Sequence, residues 1–368
     1  MDEVSAPVRS CVGEGSAFGY SDGQCLRSIG CMACSTRGVA AYLTGRGLIT
    51  REPEPRVSVS IVNRRNHSLI VSLEGEPTWF VKQMQNPTPE VVESLRREAT
   101  CYHFANREPA LSPLAELMPV CACYDPDNAI LVMEYLRGVN GAEAHLVLGQ
   151  WDTEVAGKIG ACLGRLHALW RAAYLGRRHL PRQLPWALAP PDQAQTGSRA
   201  AVLRAFNADP EAAPVLASLR REYRFNTLIH GDARLENFMF VEPAANQRVK
   251  ELRLVDWELA DIGDPAWDIA CVLQHYAVRH VWLEEPGIPP VLPHAAFDGF
   301  WAAYEAARGP LSLGERRLAM RFTGVRLIQS AYEHAVAGET ARAQVDRIGR
   351  LAHLLLTRRD LPRDEPWP

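Results

Sequence analysis

LIHGDARLENFMFVEPAANQRVKELRLVDWELADIGDPAWDIA, residues 228–270, is the stretch that decides how this chain reads. Three apolar groups, Leu228-Ile229, Phe238 to Val241 and Leu252 to Val255, predict short strands. Polar residues cluster where those strands end: His230, Asp232, Arg234 and Asn237, then Asp256 and Glu258, then Asp264 and Asp268. A buried strand ending in carboxylates and an amide is unusual, because desolvating such groups is costly unless they are paired or bind a metal. The stretch is therefore a candidate site on its residues alone.

Asp232 and Asn237 stand five residues apart in a predicted loop, and Asp256 follows nineteen residues later. An Asp beside a strand end can accept a hydroxyl proton. An Asn and a second Asp are hard oxygen ligands, suited to Mg²⁺ held mainly by substrate phosphates. Phosphoryl transfer needs these parts: a positioned acceptor, a metal that neutralises the phosphates, and little covalent chemistry. Any one of these acids alone reads as a cap or turn residue; the ordered set does not.

The whole chain bounds the reading. It has 368 residues, 47% hydrophobic and 23% charged, enough for two domains of ordinary size. A net charge of −3 points to neither nucleic acid nor an anionic membrane as partner. No apolar run approaches the ~20 residues of a membrane helix, and Met1-Asp2-Glu3 does not open a secretory signal. Nine cysteines, an odd number, read as free thiols in a reducing compartment, so the expected location is cytoplasmic. Cys31 and Cys34 form a lone C-x-x-C with Cys25 and Cys11 upstream; zinc or redox use is conceivable, but no second pair supports it. Cys121 and Cys123 read as packing residues on one strand face.

In chain order, residues 1–35 are Gly, Ser and Cys rich and read as a loose arm. Val39 to Leu48 has helical spacing and stops at Gly45 and Gly47. Strands are predicted at Val57–Val62, Ser68–Leu73 and Trp79–Gln83, with a turn at Glu74–Pro77. Thr88-Pro89 starts a helix that runs to Asn106. Two more strands, Val120–Cys123 and Ile130–Tyr135, complete a small β-rich unit with one key helix. From Asp152 the chain is mostly helical, broken by a Pro- and Gln-rich connection at Pro181–Ser198 that reads as exposed. Pro210 and Pro214 interrupt the helix predicted over Ala200–Arg221. Helices are predicted at Ala266–His280, Ala295–Ala307, Leu313–His334 and Ala341–Leu356. The fold class is α+β and bilobal, with an N-lobe over 36–138 and a C-lobe over 139–368.

His230-Gly231-Asp232-x4-Asn237, then Asp256-Trp257-Glu258, then Gly263-Asp264-Pro265-x2-Asp268, resembles the aminoglycoside phosphotransferase and choline kinase superfamily, whose members have a protein-kinase-like fold. Upstream, Lys82 ends a strand and Glu98 lies on the next helix, like the kinase Lys–Glu ion pair. Ile130–Leu136 looks like the strand and hinge that cup adenine, and Leu163–His167 like the family's L-x-x-L-H helix. The resemblance covers residues 40–355. It implies ATP and Mg²⁺. Asp232 is then the acceptor-activating carboxylate, and Asn237 and Asp256 bind the metal. Lys82, held by Glu98, contacts the α/β-phosphates, backbone near Glu134 and Leu136 binds adenine, and Asp268 braces the catalytic loop. The turn Asn63–His67 departs from the glycine-rich pattern of protein kinases. Arg234 stands where protein kinases carry a Lys and is a second catalytic candidate, since a guanidinium suits a transferring phosphoryl group. His230 and His167 read as structural, and Trp257 and Trp267 as core or groove lining.

The acceptor is less legible; it must reach Asp232 and is expected to contact Glu258, Asp261 and the helix at 313–334. Glu236, Glu258, Asp261, Glu284 and Glu285 are offset by Arg234, Arg253, Arg321 and Arg326, so a polycationic sugar is not compelled. The run Val255–Asp268, Arg234 and the Arg64-Arg65-Asn66 turn look like a subgroup encoded with HopA1-like lyases. That resemblance implies a kinase for Ser or Thr of a ribosomally made precursor peptide, with a lyase partner in lanthipeptide or thioamide-peptide biosynthesis. This is the favoured acceptor at this point. The alternatives are a small-molecule kinase for an antibiotic or hydroxylated metabolite, since D-W-E also occurs in kinases of hydroxyacyl thioesters, and a nucleotide-binding pseudokinase scaffold.

Overall fold

A computed structural model describes residues 36–50, 55–63, 68–84, 88–137, 140–142, 153–169, 180–189, 197–241, 251–283, 294–335 and 339–358. The arm at 1–35 with Cys11, Cys25, Cys31 and Cys34, the Arg64-Arg65-Asn66 turn, Glu284, Glu285 and the loop at 286–293 lie outside them. The chain divides into two compact units after residue 138.

The first unit is built on one antiparallel sheet. Its strands are β1 (Val57–Asn63), β2 (Ser68–Leu73), β3 (Glu76–Gln83), β4 (Cys121–Asp125) and β5 (Ile130–Glu134), in the order β1-β2-β3-β5-β4. Alternating apolar residues put Leu69, Val71, Val81, Ile130 and Val132 into one buried cluster. Helix α1 (Thr36–Gly45) closes that cluster with Val39 and Leu43, four residues apart on one helix face. Helix α2 (Pro89–Arg107) starts with Pro at its first turn, where no amide donor is needed. Thr88 is its N-cap by position, but its side chain makes no capping hydrogen bond. A short helix, α3 (Ser112–Ala115), precedes β4.

One turn differs from its sequence reading. Glu74 and Gly75 both have positive φ, 53° and 88°, as a two-residue hairpin turn requires. Strand β3 therefore begins at Glu76, and Pro77 lies inside it, opposite a register irregularity between Val71 and Ser72. Proline is tolerated in a strand at such a break in the ladder.

The second unit is mostly helical. Its helices are α4 (Thr153–Leu169), α5 (Gly197–Ala208), α6 (Ala212–Glu222), α7 (Pro265–Leu283), α8 (His294–Arg308), α9 (Leu313–His334) and α10 (Glu339–Thr357). Two small sheets carry the loops: β7 (Thr227–Ile229) with β10 (Asp261–Gly263), and β6 (Asn140–Gly141) with β8 (Phe238–Val241) and β9 (Glu251–Leu254). Strands β6 and β10 are too short to show a period in the sequence. Helices α4 and α8 touch almost backbone to backbone: a Cβ on Gly160 would lie 2.3 Å from the Phe300 carbonyl oxygen. Helix α9 opens with a full capping box between Ser312 and Glu315. Its residues from Phe322 to Ala331 are all buried, so the one charged residue among them, Arg326, needs partners.

Two expectations change in this unit. Pro214 does not break a helix; it sits in the first turn of α6, where its missing N–H costs nothing. The Pro- and Gln-rich connection is not wholly exposed, because Ala187 and Leu188 are buried. Among the described residues no helix is long and apolar enough to cross a membrane, and Cys101, Cys121, Cys162 and Cys271 are free thiols.

A polar cluster ties α1 to the β4–β5 turn. Asp125 accepts from the Tyr42 hydroxyl (3.0 Å), from Asn128 Nδ2 (2.8 Å) and from Arg46. Burial alone would raise the Asp125 pKa, but the Asn128 and Tyr42 hydrogen bonds and the Arg46 charge outweigh it and hold the carboxyl below its ordinary range. A depressed folded pKa stabilises the fold above the unfolded value, about 3.9 for Asp, and that stability is lost as pH falls through the folded value. Asp125→Asn is expected to cost about 1–3 kcal/mol at neutral pH. The gap to wild type should close below about pH 4 in urea titrations followed by circular dichroism. A gap that persists undiminished at the lowest pH would show that the carboxylate charge is not the cause.

Candidate active site

Strand β7 ends at Ile229, and the next residues form a loop held from three directions. The buried Asp268 on α7 accepts the His230 amide at Oδ2 (2.7 Å) and the Gly231 amide at Oδ1 (2.9 Å). Its Oδ2 also lies 3.1 Å from His167 Nε2, and the other ring nitrogen of His167 meets the Tyr304 hydroxyl at 2.8 Å. The Trp267 indole donates to the Gly231 carbonyl (3.1 Å). On the far side His230 Nε2 meets the Val255 carbonyl (2.9 Å), and its Nδ1 accepts the Asp232 amide (3.3 Å). Gly231 has φ 81°, and a Cβ there would lie 2.2 Å from the Leu259 carbonyl oxygen, so only glycine fits. Every polar group in this brace has a partner, which is what a buried network needs to be rigid.

The loop presents Asp232, which is nearly buried. Its two carboxylate oxygens meet two arginines. Oδ2 accepts from Arg234 Nε at 2.9 Å, and Oδ1 accepts from Arg326 Nη2 at 3.1 Å. Asn237 closes the loop, donating from Nδ2 to the Asp232 carbonyl (2.9 Å). That bond leaves its amide oxygen as the atom available to a hard cation. The Asn237 carbonyl in turn accepts the Val255 amide (2.9 Å), just beyond the pair Phe238–Leu254 of the β8–β9 ladder. Asn237 and Asp256 therefore flank the same end of one two-stranded ladder.

Asp256 takes φ 68° and ψ 57°, a left-handed conformation that costs a non-glycine residue about 1–3 kcal/mol. It precedes a single 3-10 turn, Trp257–Leu259, packed on the loop after β7 through a His230–Trp257 ring contact at 4.8 Å. Among the described residues no three His, Cys, Asp or Glu side chains gather as a metal site. Two hard donors, Asn237 and Asp256, fit a cation that takes its remaining ligands from phosphate and water.

In the first unit, Lys82 on β3 places Nζ 2.9 and 2.7 Å from the two oxygens of Glu98 on α2. Both residues are buried, and Glu98 also accepts from the Tyr102 hydroxyl (3.0 Å). At the end of β5 the Glu134 amide donates to the Val120 carbonyl (2.9 Å), its carboxylate accepts the Val120 amide (2.9 Å), and the Tyr135 amide reaches Thr78 (3.0 Å). Leu136 follows just past this pairing and is half-buried.

Several residues stand elsewhere than the sequence suggested. Asp261 is buried and accepts the Gln183 amide (3.0 Å), so it anchors the connection before α5 rather than an acceptor. Trp257 and Trp267 are packed core, one of the two readings that the sequence left open. Arg234 is exposed and folds back onto Asp232. Glu236 is paired with His275 at 3.1 Å; burial opposes its ionisation, but the His275 hydrogen bond and charge hold it below its ordinary range. Burial pushes the Cys271 thiol up to about 12, leaving it inert. The sequence reading counted Arg326 only as charge; its contact with Asp232 spans 94 positions, and no motif marks it.

Comparison with known proteins agrees with this layout. A choline kinase from Streptococcus pneumoniae superposes with TM-score 0.52 at 14% identity, covering 87% of this chain and 98% of that one. The amicoumacin kinase hAmiN, solved with AMP-PNP, Ca²⁺ and its antibiotic, superposes with TM-score 0.53 at 14% identity, covering 85% and 92%. Likeness at this identity speaks for the bilobal kinase-like fold. Among curated proteins, mouse acyl-CoA dehydrogenase family member 10 is 27% identical over 186 residues, 47% of this chain, and the match spans only 16% of that relative. Residues 63–311 match the family described as "Phosphotransferase enzyme family", which takes in β2, β3, α2 and the whole loop system around Asp232. By that match the chain belongs to the phosphotransferase enzyme family.

Proposed function

We propose that the chain transfers the γ-phosphoryl group of ATP to the hydroxyl of a small hydroxylated metabolite, with Asp232 as the proton acceptor. The observation that carries this reading is the braced loop. Asp268 and Trp267 fix the backbone on either side of Gly231, so the Asp232 carboxylate is held in place before any acceptor arrives. Asp232 takes the hydroxyl proton, and Arg234 is close enough to exchange the carboxylate for a phosphoryl oxygen. Asn237 and Asp256 would hold Mg²⁺, which when bound neutralises phosphate charge. In the first unit, which we read as the nucleotide-binding lobe, Lys82 is directed by Glu98 toward the α/β-phosphates. Backbone beside Glu134 and Leu136 would take the adenine. Neighbours of the same fold bind AMP, or AMP-PNP with Ca²⁺, which supports nucleotide and divalent-metal use here.

For the acceptor we favour a hydroxyacyl thioester. The D-W-E sequence at Asp256–Glu258 is compatible with it, and the curated relative is named for the acyl-CoA dehydrogenase family. A peptide Ser or Thr acceptor with a lyase partner rests on the subgroup resemblance alone and is the second outcome of the test. Incubation with ATP and Mg²⁺ against hydroxyacyl-CoA esters, hydroxylated antibiotics and Ser/Thr peptides, read by a phosphate mass gain, is expected to select the thioesters. Selective gain on a peptide or an antibiotic would replace this acceptor assignment.

Asp232→Asn is expected to lower turnover by about 10²–10⁴-fold with little change in ATP binding. Wild-type turnover in that variant would remove Asp232 from the mechanism. Lys82→Met leaves the buried Glu98 charge without its cation and should destabilise the protein by about 3–5 kcal/mol. The double variant Lys82→Met/Glu98→Gln should recover much of that stability but not activity. A thermal melt separates the two effects.

A further inference from the structure

The two arginines on Asp232 are not equivalent. Arg234 belongs to the loop itself, its side chain is 44% exposed, and it meets Asp232 through Nε alone. Arg326 comes from the middle of α9 with a side chain only 5% exposed. Its guanidinium is held at three points. Nη2 donates to Asp232 Oδ1 (3.1 Å), Nη1 donates to Gln329 Oε1 (2.6 Å), and Cζ lies over the Trp267 ring, 5.6 Å from its centroid. Gln329 is fixed in turn by donating to Glu333 (2.9 Å). Positions 326, 329 and 333 are spaced three and four apart, so they share one face of α9. Trp267 also holds the Gly231 carbonyl, so the residue beneath Arg326 is part of the loop brace.

A guanidinium stays charged, and burying one is costly unless its partners are fixed. With its partners in place, it fixes the carboxylate it touches. We propose that Arg326 is the positioning residue of Asp232: it retains Oδ1 throughout the reaction, while Arg234 is the exchangeable partner that releases Oδ2. The acceptor O–H proton then passes to Oδ2 as the acceptor oxygen bonds to the γ-phosphorus. The bond from that phosphorus to the bridging oxygen breaks, and ADP leaves. The inference rests on Asp232 being the base.

The test uses the full chain with Mg²⁺ and ATP and water as the acceptor, following phosphate release. Arg326→Gln is expected to lower kcat about 10²-fold, the loss that accompanies misplacement of a reacting group by about 1 Å, with the KM for ATP within about twofold. Arg326→Lys should recover part of the loss. Combined with Asp232→Asn, Arg326→Gln should cause no further decrease, because a residue that acts through Asp232 has nothing left to position. Gln329→Leu, which frees Nη1 without touching Asp232, should lower kcat in the same direction. It carries the test if Arg326 variants fail to fold by circular dichroism. Wild-type kcat in Arg326→Gln or, where that does not fold, in Gln329→Leu would overturn the proposal. So would losses that multiply in the double variant. Wild-type hydrolysis in Asp232→Asn would instead overturn the assignment of the base beneath it.

Discussion

The second unit depends on one buried carboxylate. Asp268 cannot be left charged and unpartnered inside a protein, and its partners are the two backbone amides that open the loop before Asp232. The same group takes His167 from α4, which is anchored to Tyr304 of α8. Helices α4 and α8 approach closely enough for this because glycines stand at the crossing. A single electrostatic requirement thus joins three helices to one loop. The loop's geometry is bought with burial rather than with flexibility.

The Asp232 end of the loop is organised on the same terms. Asp232 is a carboxylate with little access to water, so both oxygens need donors. One donor comes from its own loop and one from α9, a helix buried along its central turns. Helix α9 therefore contributes to the core through its apolar residues and to the site through the face that carries Arg326, Gln329 and Glu333. Asp256 adds a local cost, a left-handed backbone in a non-glycine residue, at the residue proposed to hold the metal. Such strain persists where the surrounding structure over-determines it. Here the β8–β9 ladder on one side and the packed Trp257 on the other do so.

The first unit meets the same problem with different parts. Lys82 and Glu98 are both buried, and two hydrogen bonds between them plus the Tyr102 hydroxyl satisfy the carboxylate. Helix α2 is thereby fixed in register on the sheet at Lys82. The Tyr42–Asp125–Arg46 cluster does comparable work at the opposite end of the sequence of this unit, fixing α1 to the β4–β5 turn.

Much of this was legible in the chain itself. Strand alternation and helical spacing located the five strands of the first unit and the long helices of the second. The spaced polar residues from His230 to Asp268 marked the loop system, because carboxylates at the ends of apolar strands are too costly to be incidental. The brace by Asp268 was implied by the resemblance of the motif, and its hydrogen bonds to the His230 and Gly231 amides agree with it. What sequence could not supply were relations whose cause is three-dimensional. Strands of two or three residues show no period, Pro214 is harmless only because of where its helix starts, and Asp261 serves the core rather than an acceptor. Above all, Arg326 looked like one more arginine on a helix until packing brought it to Asp232 across 94 residues. Local pattern determines which groups must be paired; only the packed fold decides with what, because the cost of burying a charge is settled by neighbours that are distant in the chain.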